Sequence, residues 1–226
     1  SILNEEKKGD ETIWTLSNGA LVVVKPTNFK DDEILISGFA QGGTSMISDN
    51  HISEIKMMSD EMKMILGETA ISVGGLGKFS ANDLKKALAG KNISMDFGLK
   101  TYSENISGKS NIKDLETALQ LLYLNFTSVR NDPQTYASFA SRANSVFANL
   151  GNNPMVAFSD SIMNAMYMNN PRGRFINAEN IGKADYETML KLYKERFANA
   201  GKFVFTIVGN VNPEEFKPLA EQYIAS

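Results

Sequence analysis

The chain has 226 residues, with 23 Lys plus Arg, 26 Asp plus Glu, one His and no Cys, and a formal net charge of −3. The absence of Cys excludes disulfide frameworks, iron–sulfur clusters and thiol nucleophiles, and a single His excludes His-rich zinc sites. The mildly acidic balance argues against a nucleic-acid partner, because such proteins normally present a basic face. No apolar run approaches the roughly 20 residues that a membrane-spanning helix requires, so we expect no membrane segment.

The first part of the chain predicts three strands. Thr12–Leu16 and Ala20–Lys25 flank an Asn-Gly dipeptide, which favours a tight hairpin turn because both residues tolerate positive φ. A third apolar run, Glu33–Ala40, follows and ends at Gly42 and Gly43. Its end is our first candidate for a functional surface.

A methionine-rich helix is predicted next. Apolar side chains at three- and four-residue spacing favour a helix over Asn50–Leu66. Five of the 11 Met residues lie between Met46 and Met64. Because Met side chains adapt their shape, the favoured interpretation is an adaptable core seam. The alternative is a plastic contact surface for another domain, with Met57 and Met58 as its candidates.

The remaining elements complete an α+β pattern. A short helix to about Ala89 follows a glycine-rich stretch, and an antiparallel strand pair comes after it. Apolar stripes then predict four helices, followed by a last strand and a closing helix. The segments are Asn92–Leu99 and Thr101–Gly108 for the strand pair, Leu115–Phe126, Tyr136–Leu150, Met155–Met168 and Tyr186–Phe197 for the helices, Lys202–Val208 for the strand and Pro213–Ala225 for the closing helix. We therefore expect one α+β domain over residues 1–226, with a mixed, mainly antiparallel sheet and helices packed on one face.

One pair of residues could bind a metal. His51 and Glu54 are one helical turn apart, and a zinc site could use such a pair. A catalytic zinc usually needs three protein ligands, however, and the chain has no second imidazole. A surface or capping role for His51 is the favoured interpretation, and a metal site remains the alternative.

Two other motifs are weaker candidates. The stretch Gly74–Lys78 resembles a phosphate-binding loop, but Ser72 stands where the first Gly is required and Phe79 where Ser or Thr is required. It is therefore predicted to be a structural turn. Arg172 and Arg174 form the one basic cluster in a loop, and they could bind a carboxylate or an acidic patch of a partner. A solvated loop is the favoured interpretation of this cluster.

The order of segments resembles the insulinase/pitrilysin family of zinc metallopeptidases. The resemblance extends over nearly the whole chain and is carried by mostly structural motifs. The segments that carry it are Leu16–Val24, Ile36–Gly43, Gly77–Lys91, Tyr193–Ala200, Phe203–Asn210 and Pro218–Tyr223.

The family has two homologous halves that close around a peptide chamber. Its catalytic half carries a His-x-x-Glu-His zinc motif, whereas the corresponding helix here contains His51 and Glu54 followed by Ile55. The resemblance therefore implies the first domain of the second, non-catalytic half, excised from a longer polypeptide. It implies no catalytic residue, metal ligand or cofactor in this chain, with zinc in the catalytic half of the parent. The isolated chain is expected to be inactive.

The resemblance also implies a role. The chain would form a wall of the chamber, bind peptide or protein substrate, and pack on the catalytic half of the same polypeptide. An inactive homologue that serves as a scaffold or assembly subunit is the alternative. Bacterial relatives suggest the periplasm or cell envelope, with the cytoplasm as the alternative. The residues proposed for the peptide or interdomain surface are Gly42, Gly43, Met57, Met58, Arg172 and Arg174.

Overall fold

One seven-stranded sheet forms the centre of the protein, described here from a computed structural model that covers residues 1–225. Its order is β1-β2-β3-β7-β4-β6-β5, and every neighbouring pair is antiparallel except the parallel pair of β3 and β7. The predicted mixed, mainly antiparallel sheet is confirmed. In chain order the strands are β1 (Ile2–Lys8), β2 (Glu11–Leu16), β3 (Leu21–Pro26), β4 (Ile34–Gln41), β5 (Ser94–Leu99), β6 (Ser103–Ser110) and β7 (Val204–Gly209).

Nine α-helices are found in the described residues, and one prediction about them is wrong. The helix expected over Asn50–Leu66 is two short helices, because Ser59 adopts an extended conformation and its hydroxyl accepts a hydrogen bond from Met62 N at 3.3 Å. Ser59 thus caps a new helix instead of continuing the old one. The helices are α1 (Ile52–Met57), α2 (Asp60–Leu66), α3 (Ala81–Ala87), α4 (Leu115–Thr127), α5 (Pro133–Gly151), α6 (Pro154–Met166), α7 (Ala178–Lys183), α8 (Tyr186–Phe197) and α9 (Pro213–Tyr223).

The helices cover one face of the sheet. In strand β4 the side chains alternate strictly between buried positions, on the face that the helices cover, and exposed positions, on the other face. On the covered face, Trp14 stacks on Phe216 of α9 with ring centroids 6.1 Å apart, and Phe205 meets Phe126 of α4 edge-on at 6.2 Å. These aromatic contacts anchor the helical layer on the sheet and leave the other face open.

Candidate functional site

The open face of the sheet carries a row of large apolar side chains. Leu21 on β3 pairs with Val204 on β7, and Val204 pairs with Phe39 on β4, so the three side chains stand side by side. They are 38%, 40% and 47% exposed, respectively. We call this set of three residues the apolar row. The next residues of these strands on the same face are Val23, Thr206 and Ser37.

Charged side chains are held in ion pairs at one end of the open face. Glu33 lies 2.6 Å from Lys109 and 2.9 Å from Lys30, measured between carboxylate oxygen and amine nitrogen. Hydrogen bonds from Lys109 and Lys30 hold the pKa of Glu33 below its usual value. Lys25 meets Glu11 at 3.2 Å. The open face therefore offers an apolar centre with a polar rim, which suits the binding of polypeptide by shape.

Gly42 and Gly43 form a packed turn at the end of β4. The backbone N–H of Gly43 donates to the Glu104 carboxylate at 2.9 Å, and Glu104 is 2% exposed. The same carboxylate lies 3.7 Å from the guanidinium of Arg196. Gly43 has φ +64°, and a Cβ at this position would lie 2.2 Å from the carbonyl oxygen of Lys100. Glycine is thus required here by close packing of the backbone.

The structure corrects the prediction for Met57 and Met58. These side chains are 0% and 5% exposed, so they belong to the core and provide no surface on this chain. The physical reason is that α1 packs against both α7 and α8, which enclose it. The core-seam interpretation of these two residues is the one that the structure supports.

The side chain of Arg172 forms hydrogen bonds with the turn that follows Gly43. Its guanidinium donates to the carbonyl oxygens of Thr44, at 2.9 Å, and of Ile47, and it also contacts the carboxylate of Asp49. The structure therefore brings the Arg172 loop and the Gly43 turn together, although Arg172 and Thr44 are 128 positions apart in the sequence.

A buried lysine, Lys56, hydrogen-bonds to the backbone of the loop that contains Arg172 and Arg174. The amine of Lys56 on α1 donates to the carbonyl oxygens of Arg172, at 3.1 Å, and of Arg174. Burial lowers the pKa of Lys56. The guanidinium of Arg174 lies 3.6 Å from the carboxylate of Asp160 on α6. Both arginines are therefore engaged within the chain, and their geometry gives them a structural role.

His51 and Glu54 do not form a metal centre with other residues. Nδ1 of His51 is 3.8 Å from the Glu54 carboxylate, whose other oxygen accepts a hydrogen bond from the backbone N–H of Asp185 at 2.9 Å. Within residues 1–225, no three or more His, Asp or Glu side chains are grouped so that they could hold a metal ion. The residues described thus do not fit a zinc site.

Two surfaces were missed by sequence reasoning. One is the apolar row, which the alternation along β4 could have revealed, since Leu35 and Phe39 fall on the opposite side from Ile34 and Ile36. The other surrounds α6, in which no side chain is fully buried.

No helix in the described part of the chain has both the length and the apolar character needed to cross a bilayer.

Comparison with known proteins identifies relatives among zinc peptidases. No protein-family model matches the sequence. A zinc protease PQQL-like protein from Arabidopsis thaliana is 28% identical over 214 residues, which are 94% of this chain and 19% of that protein. The periplasmic protease PqqL from Escherichia coli matches 100% of this chain with a TM-score of 0.82 and 20% identity, over 24% of its own length. The inactive M16 peptidase domain from Pseudomonas fluorescens matches 99% of this chain with a TM-score of 0.73 and 17% identity, over 50% of its length.

The chain is similar in sequence to a protein named as a zinc protease and similar in fold to M16 peptidases. These similarities confirm the resemblance to the insulinase/pitrilysin type and the predicted α+β fold. The chain spans about a fifth of the Arabidopsis relative and about a quarter of PqqL. It thus corresponds to one part of these larger proteins.

Proposed function

We propose that the chain is a single, non-catalytic α+β domain of a longer zinc-dependent peptidase. In this proposal the open face forms one wall of the peptide-binding chamber, and the chain packs on the catalytic half of the same polypeptide. One observation carries the proposal: the whole chain superposes on a quarter of PqqL, while the described residues offer no group of ligands for zinc. Zinc would then belong to the catalytic half of the parent.

The open face could contribute to substrate binding without taking part in hydrolysis. The apolar row offers three exposed side chains in line, against which apolar side chains of a peptide could be buried. Each such contact would be weak, because binding energy is distributed over the whole chamber and offset by the ordering of the peptide. We therefore expect the row to affect substrate affinity more than the rate of the chemical step.

A pair of leucine substitutions in the full-length parent tests this role. Leu21→Asp places a charge in the apolar row and should raise KM for a peptide substrate by roughly tenfold, with kcat little changed. Leu3→Asp is the matched control, because Leu3 is likewise an exposed leucine, at 69% exposure, but lies on the edge strand β1, away from the apolar row. Equal KM values for the two variants, both shown to be folded by circular dichroism, would overturn the chamber-wall proposal.

A scaffold role is the second candidate, and the inactive M16 domain from Pseudomonas fluorescens favours it. The two candidates differ in the parent polypeptide. A peptidase would contain a His-x-x-Glu-His segment outside this chain and bind zinc stoichiometrically, whereas a scaffold would contain no such segment. Zinc that is lost on His51→Ala, and retained when that outside segment is changed, would instead support the metal alternative at His51 and Glu54.

The cellular location is also proposed by similarity. PqqL is described as a periplasmic protease. We propose the periplasm or cell envelope for the parent of this chain, with the cytoplasm as the alternative. Fractionation of cells that express the tagged full-length protein would distinguish the compartments.

A further inference from the structure

A pocket of about 350 Å³ lies on the covered face of the sheet, between β5 and the helices α2, α3, α4 and α8. Phe97 of β5 lines it and also contacts Phe126 of α4 and Phe197 of α8, with ring centroids 6.1 and 5.7 Å away. These contacts place the pocket on the opposite side of the sheet from the apolar row. Its other main apolar side chains are Ile71, Leu76, Leu84, Leu88, Met95 and Val129.

The glycine-rich stretch after α2 forms one wall of this pocket, through Gly75 and Leu76. Two backbone amides of the stretch are already bonded within the chain. Leu76 N donates to the carbonyl oxygen of Phe79 at 3.0 Å, and Gly77 N donates to that of Ser128 at 2.7 Å. A phosphate-binding loop needs such amides free to donate to the anion. The two amides therefore cannot hold a phosphate, and this wall contributes apolar surface.

Tyr193 of α8 brings to the pocket a hydroxyl group without a protein partner. The residue is 5% exposed and its ring stacks on Phe197 at 4.5 Å, yet its hydroxyl forms no hydrogen bond within residues 1–225. The hydroxyl is not sealed in the core, because Oδ1 of Asn164 is the only fully enclosed side-chain oxygen or nitrogen without a partner in that part of the chain. Since Tyr193 lines the pocket, its hydroxyl opens into it.

This hydroxyl is suited to bind a ligand. Buried polar groups are nearly always hydrogen-bonded, and a bound water would need several polar partners, whereas most of the surrounding walls are apolar. Burial raises the pKa of Tyr193, and the nearby Asp96 carboxylate adds to the rise. The hydroxyl therefore stays protonated at neutral pH and can donate to an oxygen atom of a ligand.

The other polar groups of the pocket favour a neutral ligand that can also donate. Nδ2 of Asn125 donates to the carbonyl oxygen of Leu121 at 2.9 Å, which leaves Oδ1 as an acceptor. The Asp96 carboxylate is paired with the amine of Lys63, so neither charge is left to bind an ion. Lys85 lines the pocket from an exposed position of α3, where water solvates its amine. A donor from Tyr193 and an acceptor from Asn125 together match a hydroxyl group.

We propose that this pocket binds a free, neutral molecule of single-ring size that carries one hydroxyl group, as simple phenols do. The ring would be buried against Phe97 and Leu88, and the hydroxyl would accept from Tyr193 and donate to Asn125. The volume of the pocket is at the small end for ligand sites and leaves no room for an extended peptide. The site does not depend on the proposed chamber role, because it lies on the other side of the sheet.

Two probes that differ by one hydroxyl, p-cresol and toluene, test the proposal by NMR of the chain with ¹³C-labelled methionine methyl groups. Met95 lines the pocket and is the reporter, whereas Met155, 70% exposed on α6, is the control. We expect p-cresol to shift the Met95 signal to saturation, to leave Met155 unchanged and to bind more tightly than toluene. No shift at Met95, or equal affinity for the two probes, would overturn the proposal. A tyrosine-containing tripeptide that binds more tightly than p-cresol would overturn the choice of a free molecule.

Substitution of Tyr193 tests the hydroxyl itself. Tyr193→Phe removes one oxygen and should weaken p-cresol binding by roughly three- to tenfold, while toluene binding stays unchanged. Tyr102→Phe, at a 75% exposed position of the β5–β6 turn, is the matched control and should change neither affinity. Leu88→Trp fills the pocket and should abolish the binding of both probes in a chain shown to be folded by circular dichroism. An unchanged p-cresol affinity in Tyr193→Phe, or binding that survives Leu88→Trp, would contradict the assigned site.

Discussion

Helices α4 and α6 have the same length and differ in what surrounds them. Each has 13 residues and carries an apolar stripe at helical spacing. Five side chains of α4 are buried, among them Leu119 and Leu122, whereas no side chain of α6 is. The reason is that α4 lies on the sheet, where Phe126 contacts Phe205, while α6 packs mainly against α5. An apolar stripe thus identifies the face that needs a partner, and the partner itself is set by the fold around it.

The largest expected effect comes from truncating one aliphatic side chain on each helix. Leu119→Ala should lower the free energy of unfolding of the chain by about 2–5 kcal/mol, because it leaves a cavity beneath α4. Ile162→Ala should cost less than about 1 kcal/mol, because Ile162 is 43% exposed and leaves no cavity. Urea unfolding monitored by circular dichroism measures both values.

The same pair of variants is more informative in the full-length parent. If α6 is covered there, Ile162→Ala should destabilise the parent more than it destabilises the chain alone, while the cost of Leu119→Ala should change little. Similar costs for Ile162→Ala and Leu119→Ala in the chain alone would contradict the described difference between the two helices.

Local patterns were sufficient to predict most of the fold. The Asn-Gly hairpin, the apolar run of β4 and the apolar stripes of α4, α5, α6 and α8 all depend on neighbours in sequence, and the structure confirms them. Strand β1 was missed because an edge strand rich in charged residues has no apolar alternation to detect. The helix over Asn50–Leu66 was predicted whole because its apolar spacing continues across the capping serine, Ser59.

The candidate surfaces were harder to predict because they depend on contacts between distant segments. Nothing in the local sequence indicates that Arg172 binds the carbonyl oxygens of Thr44 and Ile47, since a loop arginine looks the same whether it is solvated or bonded. Met57 and Met58 were considered as surface residues because helical spacing does not reveal how many neighbours enclose a short helix. The identity of a helix's packing partner is therefore the information that a single sequence lacks.

Two glycine substitutions, one in a packed region and one in an uncovered region, should have an intermediate effect on the free energy of unfolding. Gly43→Ala should lower the free energy of unfolding by at least about 2 kcal/mol, because its new Cβ would meet the Lys100 carbonyl oxygen in a left-handed backbone conformation. Gly67→Ala is the matched control: Gly67 ends α2 with φ +78° and has no atom within 4 Å of an added Cβ. It should cost only about 1 kcal/mol, the usual strain of a positive φ. Thermal unfolding of both variants would show this order, and an equal loss would argue against close packing at Gly43.

The smallest expected effect is the contribution of Glu61 to the pH dependence of folding stability. Burial raises its native pKa above 4.5, against the opposing effects of the Ile176 N–H and Lys56. Between pH 4.5 and that raised pKa the native state holds more protons than the unfolded state, so the stability contributed by this group falls as the pH rises. Glu61→Gln, which cannot ionise, should therefore raise the Tm of the chain slightly at pH 7, and the gain should shrink as the pH is lowered towards 4.5.

Glu195→Gln, at an exposed position of α8, is the matched control for this substitution and should leave the Tm of the chain unchanged at both pH values. Scanning calorimetry of both variants at pH 7 and at pH 4.5 measures the differences. Equal changes in Tm for the two variants would contradict a Glu61 carboxylate whose pKa is raised by burial.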